Sequence, residues 1–296
     1  VYGEPGSTNA YRLARQNDDQ LWNEYICYSK VVRAYEDLRR ANPPQPRDFL
    51  GTMRVPEPRY FVNKNDEEWW AVHREKVPAI SEQGQGGPGH VVCMERVLPL
   101  PQSLRDTFVD NWGPTNRDDA KRDPRNADCI ARIYLGQEDE RTSGRVSFFT
   151  LRNFKLPVAR LHALKCDVDG MTKLLGATLA IIHWEAGLDS RDIEVVVGSK
   201  PTYTEIVVIE ELSKLPTSTS TRRAGIHYPN FLNREISLWV IDFNLCRPIN
   251  RNEEETMLAV EAFWKNDPYF PRPHTNSDMI NALWDIFMAS YLEACS

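Results

Sequence analysis

The chain has 296 residues, of which 41% are hydrophobic, and it includes eight Trp, eleven Tyr and eleven Phe. This composition supplies ample material for a core and excludes an intrinsically disordered chain. The net charge of −6 argues against a general nucleic-acid coat, because phosphate binding requires a basic face. No apolar run reaches the roughly 18 residues of a membrane span. We therefore expect a soluble, cytoplasmic protein with neither a membrane nor DNA as its partner.

The six cysteines are widely spaced and form neither a C-x-x-C pair nor a zinc-finger spacing with histidine. Structural zinc is therefore not expected, and scattered thiols indicate a reducing compartment. Cys93 and Cys246 lie beside hydrophobic strands, where isolated cysteines are more often buried and inert than nucleophilic.

The N-terminal third predicts short strands around one long helix. A glycine turn separates two short strands between Tyr2 and Leu13, and residues 18–40 show apolar side chains at helical spacing. That helix carries Glu24 in its second turn. Residues 60–62 and 90–95 predict further strands, with a glycine-rich surface loop at 81–89 between them. A proline-rich exit follows, and we place a lobe boundary near residues 99–103.

The remaining two thirds mix strands with longer helices. Strands are predicted at 129–135, 146–151 and 206–209, and amphipathic helices at 168–184, 253–264 and 277–294. A charged loop precedes the first of these strands, and a Ser/Thr-rich loop at 216–223 follows the third. The chain thus divides into an N-terminal lobe, 1–101, and a larger, mainly helical C-terminal lobe, 102–296.

Two short acidic segments carry the most information. Residues 189–198 (DSRDIEVVVG) and 238–244 (LWVIDFN) each place carboxylates at the edge of a strongly β-forming run. A protein kinase catalytic loop has Asp, four residues, Asn and a hydrophobic strand, and the next strand ends in Asp-Phe-Gly. Here Asp189, Glu194, Asp242 and Asn244 occupy the four corresponding positions. The pattern predicts an α+β, protein-kinase-like fold with two lobes.

The kinase pattern is altered in its ligands. Glu194 stands in the Asn position and Asn244 in the Gly position, and no strand Lys is evident to bind phosphate. The nearest basic candidates to pair with Glu24 are Arg12 and Arg15, which are not interchangeable with Lys as phosphate ligands.

The carboxylates converge if the two strands are neighbours, and they then require a cation. In one interpretation Asp242 and Glu194 bind Mg²⁺ with ATP while Asp189 accepts a hydroxyl proton. In the other, the carboxylates receive a guanidinium group through charge-assisted hydrogen bonds, and no metal or cofactor is needed.

Two residues near the first acidic segment are candidates for a general base. His183 and Glu185 just precede Asp189, and the pKa range of His suits proton transfer. The alternative, slightly favoured for His183, is that this residue closes the preceding helix and packs in the core.

Several segments together resemble a fungal family whose members are labelled hypothetical or zinc finger proteins. They are residues 91–101, 132–136, 148–154, 183–199, 239–243 and 266–273. Within that neighbourhood lie the fungal arginine-containing cyclodipeptide synthases. The resemblance implies condensation of an arginyl group with a second amino acid, both supplied as aminoacyl-tRNAs, into a diketopiperazine of secondary metabolism.

That activity would need a base, an arginine pocket and donors to an oxyanion. His183, Glu185 and Asp189 are the catalytic candidates, and Asp192, Glu194, Asp242 and Asn244 are the substrate-binding candidates. A confined basic face for tRNA would comprise Lys121, Arg122, Arg125, Arg222 and Arg223. The alternatives are a kinase-like phosphotransferase acting on a small molecule and a pseudokinase that binds without turnover.

Overall fold

The computed structural model shows a two-lobed α+β fold. It describes residues 1–3, 7–14, 18–41, 53–75, 88–139, 149–201, 234–266 and 268–295. A three-stranded sheet belongs to the N-terminal lobe and a four-stranded sheet to the C-terminal lobe. The two sheets lie on either side of the boundary predicted at residues 99–103.

The N-terminal sheet is antiparallel and has the order β1-β3-β2. Its strands are β1 (Asn9–Leu13), β2 (Pro58–Val62) and β3 (Val91–Glu95). Tyr2 pairs with Tyr11 on the outer side of β1, which confirms the short strand pairing predicted there. β3 is buried along four of its five residues because both neighbours and helix α1 (Asp18–Ala41) cover it.

Helix α1 confirms the predicted helix but turns a different face inward. The buried residues recur at helical spacing and are Leu21, Glu24, Cys27, Tyr28, Val31, Ala34 and Tyr35. Trp22, which the sequence assigned to the apolar face, is 49% exposed. A charged residue, Glu24, therefore lies near the start of the buried stripe, where its polarity interrupts the apolar period of the sequence.

The two lobes share backbone hydrogen bonds and one hydrophobic core. Leu98 donates to the carbonyl of Ser199 at 2.9 Å, and Arg54 donates to Leu238 at 2.9 Å. The main core cluster runs from Val31 of α1 through Phe108 to Phe243 and Phe287. Because this cluster contains residues of both lobes, the lobes pack as parts of one folded unit.

The C-terminal sheet has the order β5-β4-β6-β7. Its strands are β4 (Ala131–Tyr134), β5 (Lys155–Pro157), β6 (Glu194–Pro201) and β7 (Arg234–Ile241). Only β4 and β5 pair in parallel in the part of the sheet that the structure describes. In the β6–β7 ladder Glu194 lies opposite Ile241, so the two acidic segments are neighbours, as predicted.

Seven α-helices and a short 3-10 helix (Pro124–Asn126) accompany α1 in the described residues. The seven α-helices are α2 (Glu67–His73), α3 (Gln102–Trp112), α4 (Arg117–Arg122), α5 (Val158–Ala163), α6 (Val168–Ala180), α7 (Glu253–Lys265) and α8 (Asp278–Ala294). α7 and α8 confirm the helices predicted at 253–264 and 277–294. α6 confirms the helix predicted at 168–184, because it continues as a π-helical turn over Ile181–Glu185.

Some short elements were not predicted, and some predictions lie outside the described residues. Sequence patterns missed α2, α4, α5 and β5, each of which has seven residues or fewer and so shows little periodicity. The strand predicted at 206–209, the loop at 216–223, most of the loop at 81–89 and the first half of the strand at 146–151 fall outside the described residues. The described half of that last strand, residues 149–151, is not in a strand, so the prediction is wrong there. None of the described helices is long and apolar enough to cross a membrane.

Candidate functional site

A cleft of about 1020 Å³ opens between the two lobes. Its walls come from β1, α1, the end of β3 and the segment that follows β7. The apolar residues of the lining include Ala10, Leu21, Met94, Val97 and Ile241. The charged residues of the lining are Arg12, Glu24, Glu95, Arg96, Asp128, Arg152 and Asp242. A concave space with apolar walls and a few convergent charges is the usual form of a ligand site.

Arg12 joins two carboxylates at the back of this cleft. Its Nη1 lies 2.5 Å from Glu24 Oε1 and 2.9 Å from Asp242 Oδ1. The strand cation that the sequence left open between Arg12 and Arg15 is therefore Arg12, while Arg15 lies outside the described residues. The arrangement ties β1 and α1 to the end of β7.

Glu24 is buried, with 1% of its surface exposed. Burial raises the pKa of its carboxyl to about 7, although Arg12 opposes the shift, and the negative charge of Asp242 adds to it. Oε1 is held by Arg12, whereas Oε2 has no hydrogen-bond partner within the described part of the chain. A buried carboxylate oxygen without a donor is unusual and calls for an explanation.

A second carboxylate group adjoins Asp242. Burial raises the pKa of Glu194 and of Asp192, and the charge of Asp242 adds to both shifts. Arg132 Nη2 lies 2.7 Å from Glu194 Oε1 and partly offsets its charge. Asp192 and Asp242 both have left-handed backbone conformations, with φ of 62° and 69°. Such strained residues concentrate at functional sites.

Asp189, predicted as catalytic, faces the interior. It has no exposed surface, and its Oδ1 accepts hydrogen bonds from the backbone N–H groups of Arg191 and Arg247 at 3.1 and 2.8 Å. Burial raises the pKa of its carboxyl, and the two N–H donors oppose that shift. Its Oδ2 has no hydrogen-bond partner among the described residues and lies 3.9 Å from Arg191 Nε. This geometry favours a structural role that joins two loops, because Oδ1 is held by the backbone of both loops and Asp189 is not among the described residues that line the cleft.

His183 also lies away from the cleft. Its Nδ1 is 2.9 Å from Tyr291 Oη and its Nε2 is 2.9 Å from Ser190 Oγ, and burial lowers its pKa to about 4. The ring is therefore neutral at physiological pH and held on both sides, as in the alternative that assigned it to the core. Glu185, the other candidate base, is exposed at the end of the π-helical turn.

Of the predicted substrate-binding residues, Asp242 and Asn244 line the cleft. Asn244 Oδ1 is buried without a hydrogen-bond partner among the described residues. Asp192 and Glu194 lie beside the cleft. The charge of Asp192 raises the pKa of Glu194, and the charge of Asp242, which lines the cleft, raises the pKa of both.

The basic residues predicted to contact tRNA are paired locally where they are described. Lys121 lies 2.7 Å from Asp110, Arg122 3.1 Å from Asp119, and Arg125 2.7 Å from Asp123. These pairs leave little net positive charge on that face. Arg222 and Arg223 lie outside the described residues, and tRNA contact at all five positions stays a prediction.

The described residues do not include a group of three or more His, Cys, Asp or Glu that could hold a metal ion. Cys93 and Cys246 are both buried, and burial raises the pKa of each thiol. A buried thiol with a raised pKa is a poor nucleophile, in agreement with the inert role expected from their positions.

The C-terminal part of the chain matches a known family model. Residues 238–296 match DUF3669, a family described as zinc finger protein, which agrees with the label carried by the family that the sequence resembles. This segment contains Cys246, Cys295 and His274 as its only Cys and His residues, too few for a four-ligand zinc finger. No curated protein and no solved structure matches the chain.

Sequence reasoning missed two residues that the structure places in or beside the site. Arg132 was noted only as part of a strand, and Asn23, which donates to the carbonyls of Asn244 and Cys246 at 3.2 and 2.9 Å, was not noted at all. Asn23 precedes Glu24 on α1, so a polar pair at the start of an otherwise apolar stripe was the signal available.

Proposed function

We propose that the chain is an enzyme that binds the guanidinium group of an arginyl substrate in the cleft between its lobes. The reaction proposed is the condensation of that arginyl group with a second amino acid from aminoacyl-tRNAs, giving an arginine-containing diketopiperazine. The resemblance to the fungal arginine-containing cyclodipeptide synthases supplies the reaction, and the charge of the cleft supports the substrate.

The observation that carries the proposal is an excess of carboxylates. Glu24, Asp242, Asp192 and Glu194 share two guanidinium groups, those of Arg12 and Arg132. The other four charged residues of the lining, Glu95, Arg96, Asp128 and Arg152, cancel in sign. One to two negative charges are thus left over near neutral pH, depending on the proton of Glu24.

A guanidinium ligand suits this excess better than a simple ammonium group. Its planar fork of five N–H donors can satisfy several acceptor oxygens at once. The cleft offers the Asp242 carboxylate and the orphan Asn244 Oδ1 as acceptors. A ligand without this charge would leave buried negative charge uncompensated, which provides selectivity.

Purified protein with arginyl-tRNA and a mixture of other aminoacyl-tRNAs tests the proposal. We expect a diketopiperazine containing arginine, detected by its mass, and loss of arginine incorporation in Asp242→Asn. Asp118→Asn removes a carboxylate from the exposed surface of α4 and serves as the matched control. A folded wild-type protein that yields no cyclic product from fully charged tRNAs would contradict the proposal.

A second candidate is phosphoryl transfer in a kinase-like cleft. The observation in its favour is the contact of Arg12 with both Glu24 and Asp242, which resembles the strand Lys, helix Glu and Asp-Phe-Gly Asp of protein kinases. The order of the N-terminal strands and the position of α1 beside them support the same resemblance. Calorimetry with ATP and Mg²⁺ separates the two candidates, because a phosphotransferase must bind both.

A further inference from the structure

We propose that Glu24 is the proton acceptor of the cleft, the group that deprotonates the α-ammonium of a bound aminoacyl substrate. This inference rests on the proposed function for the identity of the substrate. It assigns to α1 the role that sequence analysis sought at His183, Glu185 or Asp189.

The three earlier candidates fail for separate geometric reasons. Both ring nitrogens of His183 are engaged by Tyr291 and Ser190, away from the cleft. Asp189 has an Oδ2 without a hydrogen-bond partner, as Glu24 has at Oε2, but it is absent from the described residues that line the cleft, and its Oδ1 accepts from two backbone N–H groups. Glu185 is exposed to solvent, and it is absent from the described residues that line the cleft.

Glu24 has what a general base requires. It lines the cleft, and Arg12 fixes its carboxylate by holding Oε1 while Oε2 has no donor among the described residues. An orphan buried oxygen of this kind is satisfied either by a proton of its own or by a donor from a ligand. During turnover, a general base alternates between carrying the proton itself and accepting a hydrogen bond from the ligand.

The surroundings set the proton affinity of Glu24 near neutrality. Arg12 is shared with Asp242, so it stabilises the ionised form of Glu24 less than a dedicated partner would. The charged or titratable groups around Glu24 are Arg12 from β1, Asp242 after β7, and Cys27 and Tyr28 further along α1. A base whose pKa lies near the working pH is the most effective.

The proposed step balances as follows. Glu24 takes one proton from the α-ammonium, and the neutral amine attacks the ester carbonyl carbon of an aminoacyl-tRNA. A C–N bond forms and the ester C–O bond breaks. A second proton passes from the nitrogen to the departing 3′ or 2′ oxygen of the tRNA, and Glu24 returns its proton to solvent. The same exchange at the second ester closes the ring.

The kinetic test compares wild type, Glu24→Gln and Glu36→Gln between pH 5.5 and 9. Glu36→Gln is the same change at an exposed position of the same helix. We expect the wild-type rate to rise with pH through an apparent pKa near 7. Glu24→Gln should lower kcat by roughly 10²- to 10⁴-fold and move that limb toward about pH 8, where the α-ammonium of the substrate itself loses its proton. An unchanged rate and profile in Glu24→Gln would overturn the proposal.

A second measurement needs no turnover and also covers a Glu24→Gln variant that folds poorly. Infrared difference spectra of the wild-type protein should show a protonated carboxyl band that disappears between pH 6 and 8, and Glu24→Asp should shift it. Absence of such a band overturns the proposal even if product forms. Absence of product with the band present contradicts the proposed function instead.

Discussion

At the scale of single residues, burial and partners separate carboxylates that look alike in the sequence. Asp189 and Asp242 each stand beside a β-forming run, yet Asp189 has no exposed surface and accepts two backbone N–H bonds. The side chain of Asp242 is 29% exposed and faces the cleft beside Arg12. Asp189 therefore joins two loops, whereas Asp242 is available to a ligand.

Asp242→Asn should weaken the binding of arginine methyl ester without unfolding the protein. A hydrogen bond to a charged group contributes about 1.5–3 kcal/mol, which corresponds to a roughly 10- to 100-fold increase in Kd. Calorimetry with the ester measures the change, and glycine methyl ester, which lacks the guanidinium, should bind weakly to both proteins. Equal affinity of wild type and variant for the arginine ester would exclude Asp242 from the pocket.

Asp189→Ala should instead lower the free energy of unfolding. The change leaves the buried N–H groups of Arg191 and Arg247 without an acceptor, which costs about 2–4 kcal/mol in total. Urea unfolding monitored by tryptophan fluorescence measures the loss, and the Kd of the arginine ester should stay within twofold for the folded fraction. A stable variant with a large loss of ester binding would restore Asp189 to the site.

At the scale of elements, the sequence predicts the four longest helices, α1, α6, α7 and α8, but not the eleven-residue α3 and not how every helix is rotated. The helical spacing of apolar residues predicted α1. Its buried face, however, contains Glu24, whose carboxylate is paired with Arg12 of strand β1. Arg12 and Glu24 are 12 positions apart in the sequence, and Arg12 and Asp242, which are also paired, are 230 positions apart. Local periodicity carries no information about such partners, so the face could not be fixed from the sequence.

Helices α6 and α8 approach each other closely at Gly176. A Cβ atom at this position would lie 2.4 Å from the carbonyl oxygen of Phe287. Gly176→Ala should therefore push the two helices apart and cost about 2–3 kcal/mol, in spite of the higher helix propensity of Ala. Thermal unfolding measures the effect, and Lys173→Ala on the exposed side of α6 is the control, expected within about 0.5 kcal/mol of wild type. A stabilised Gly176→Ala variant would contradict the close packing.

At the scale of the whole molecule, the sequence predicts the two-lobed α+β arrangement from the kinase-like pattern of the two acidic segments and from the proline-rich exit near residue 99. Adjacent acidic segments were also predicted, since neighbouring strands bring their ends together, and Glu194 does lie opposite Ile241. The compensation of charge was predicted only in part. The sequence named Arg12 and Arg15 as candidates to pair with Glu24, and Arg12 is the partner. The second contact of Arg12, with Asp242, and the contact of Arg132 with Glu194 depend on the tertiary fold and were not predicted.

The whole protein should also show two opposed dependences of stability on pH. The pKa of Glu24 is about 7 in the folded protein against an ordinary 4.5, so the folded state binds more protons between these values and stability falls as pH rises through them. The pKa of His183 is about 4 against an ordinary 6.5, so the unfolded state binds more protons there and stability falls as pH drops. The two slopes largely cancel in wild type between pH 4.5 and 6.5.

Glu24→Gln and His183→Gln should each expose the slope that the other residue masks. Relative to wild type, Glu24→Gln loses stability as pH falls from 6.5 to 4.5, and His183→Gln loses stability as pH rises over the same interval. Each slope is at most about 1.4 kcal/mol per pH unit, the value for one proton. Urea unfolding at pH 4.5, 5.5 and 6.5 measures both, and the double variant should regain a slope close to that of wild type because the other titrating groups are common to all four proteins. Single variants with slopes of the same sign would show that burial does not govern the protons of Glu24 and His183 in the way that their surroundings require.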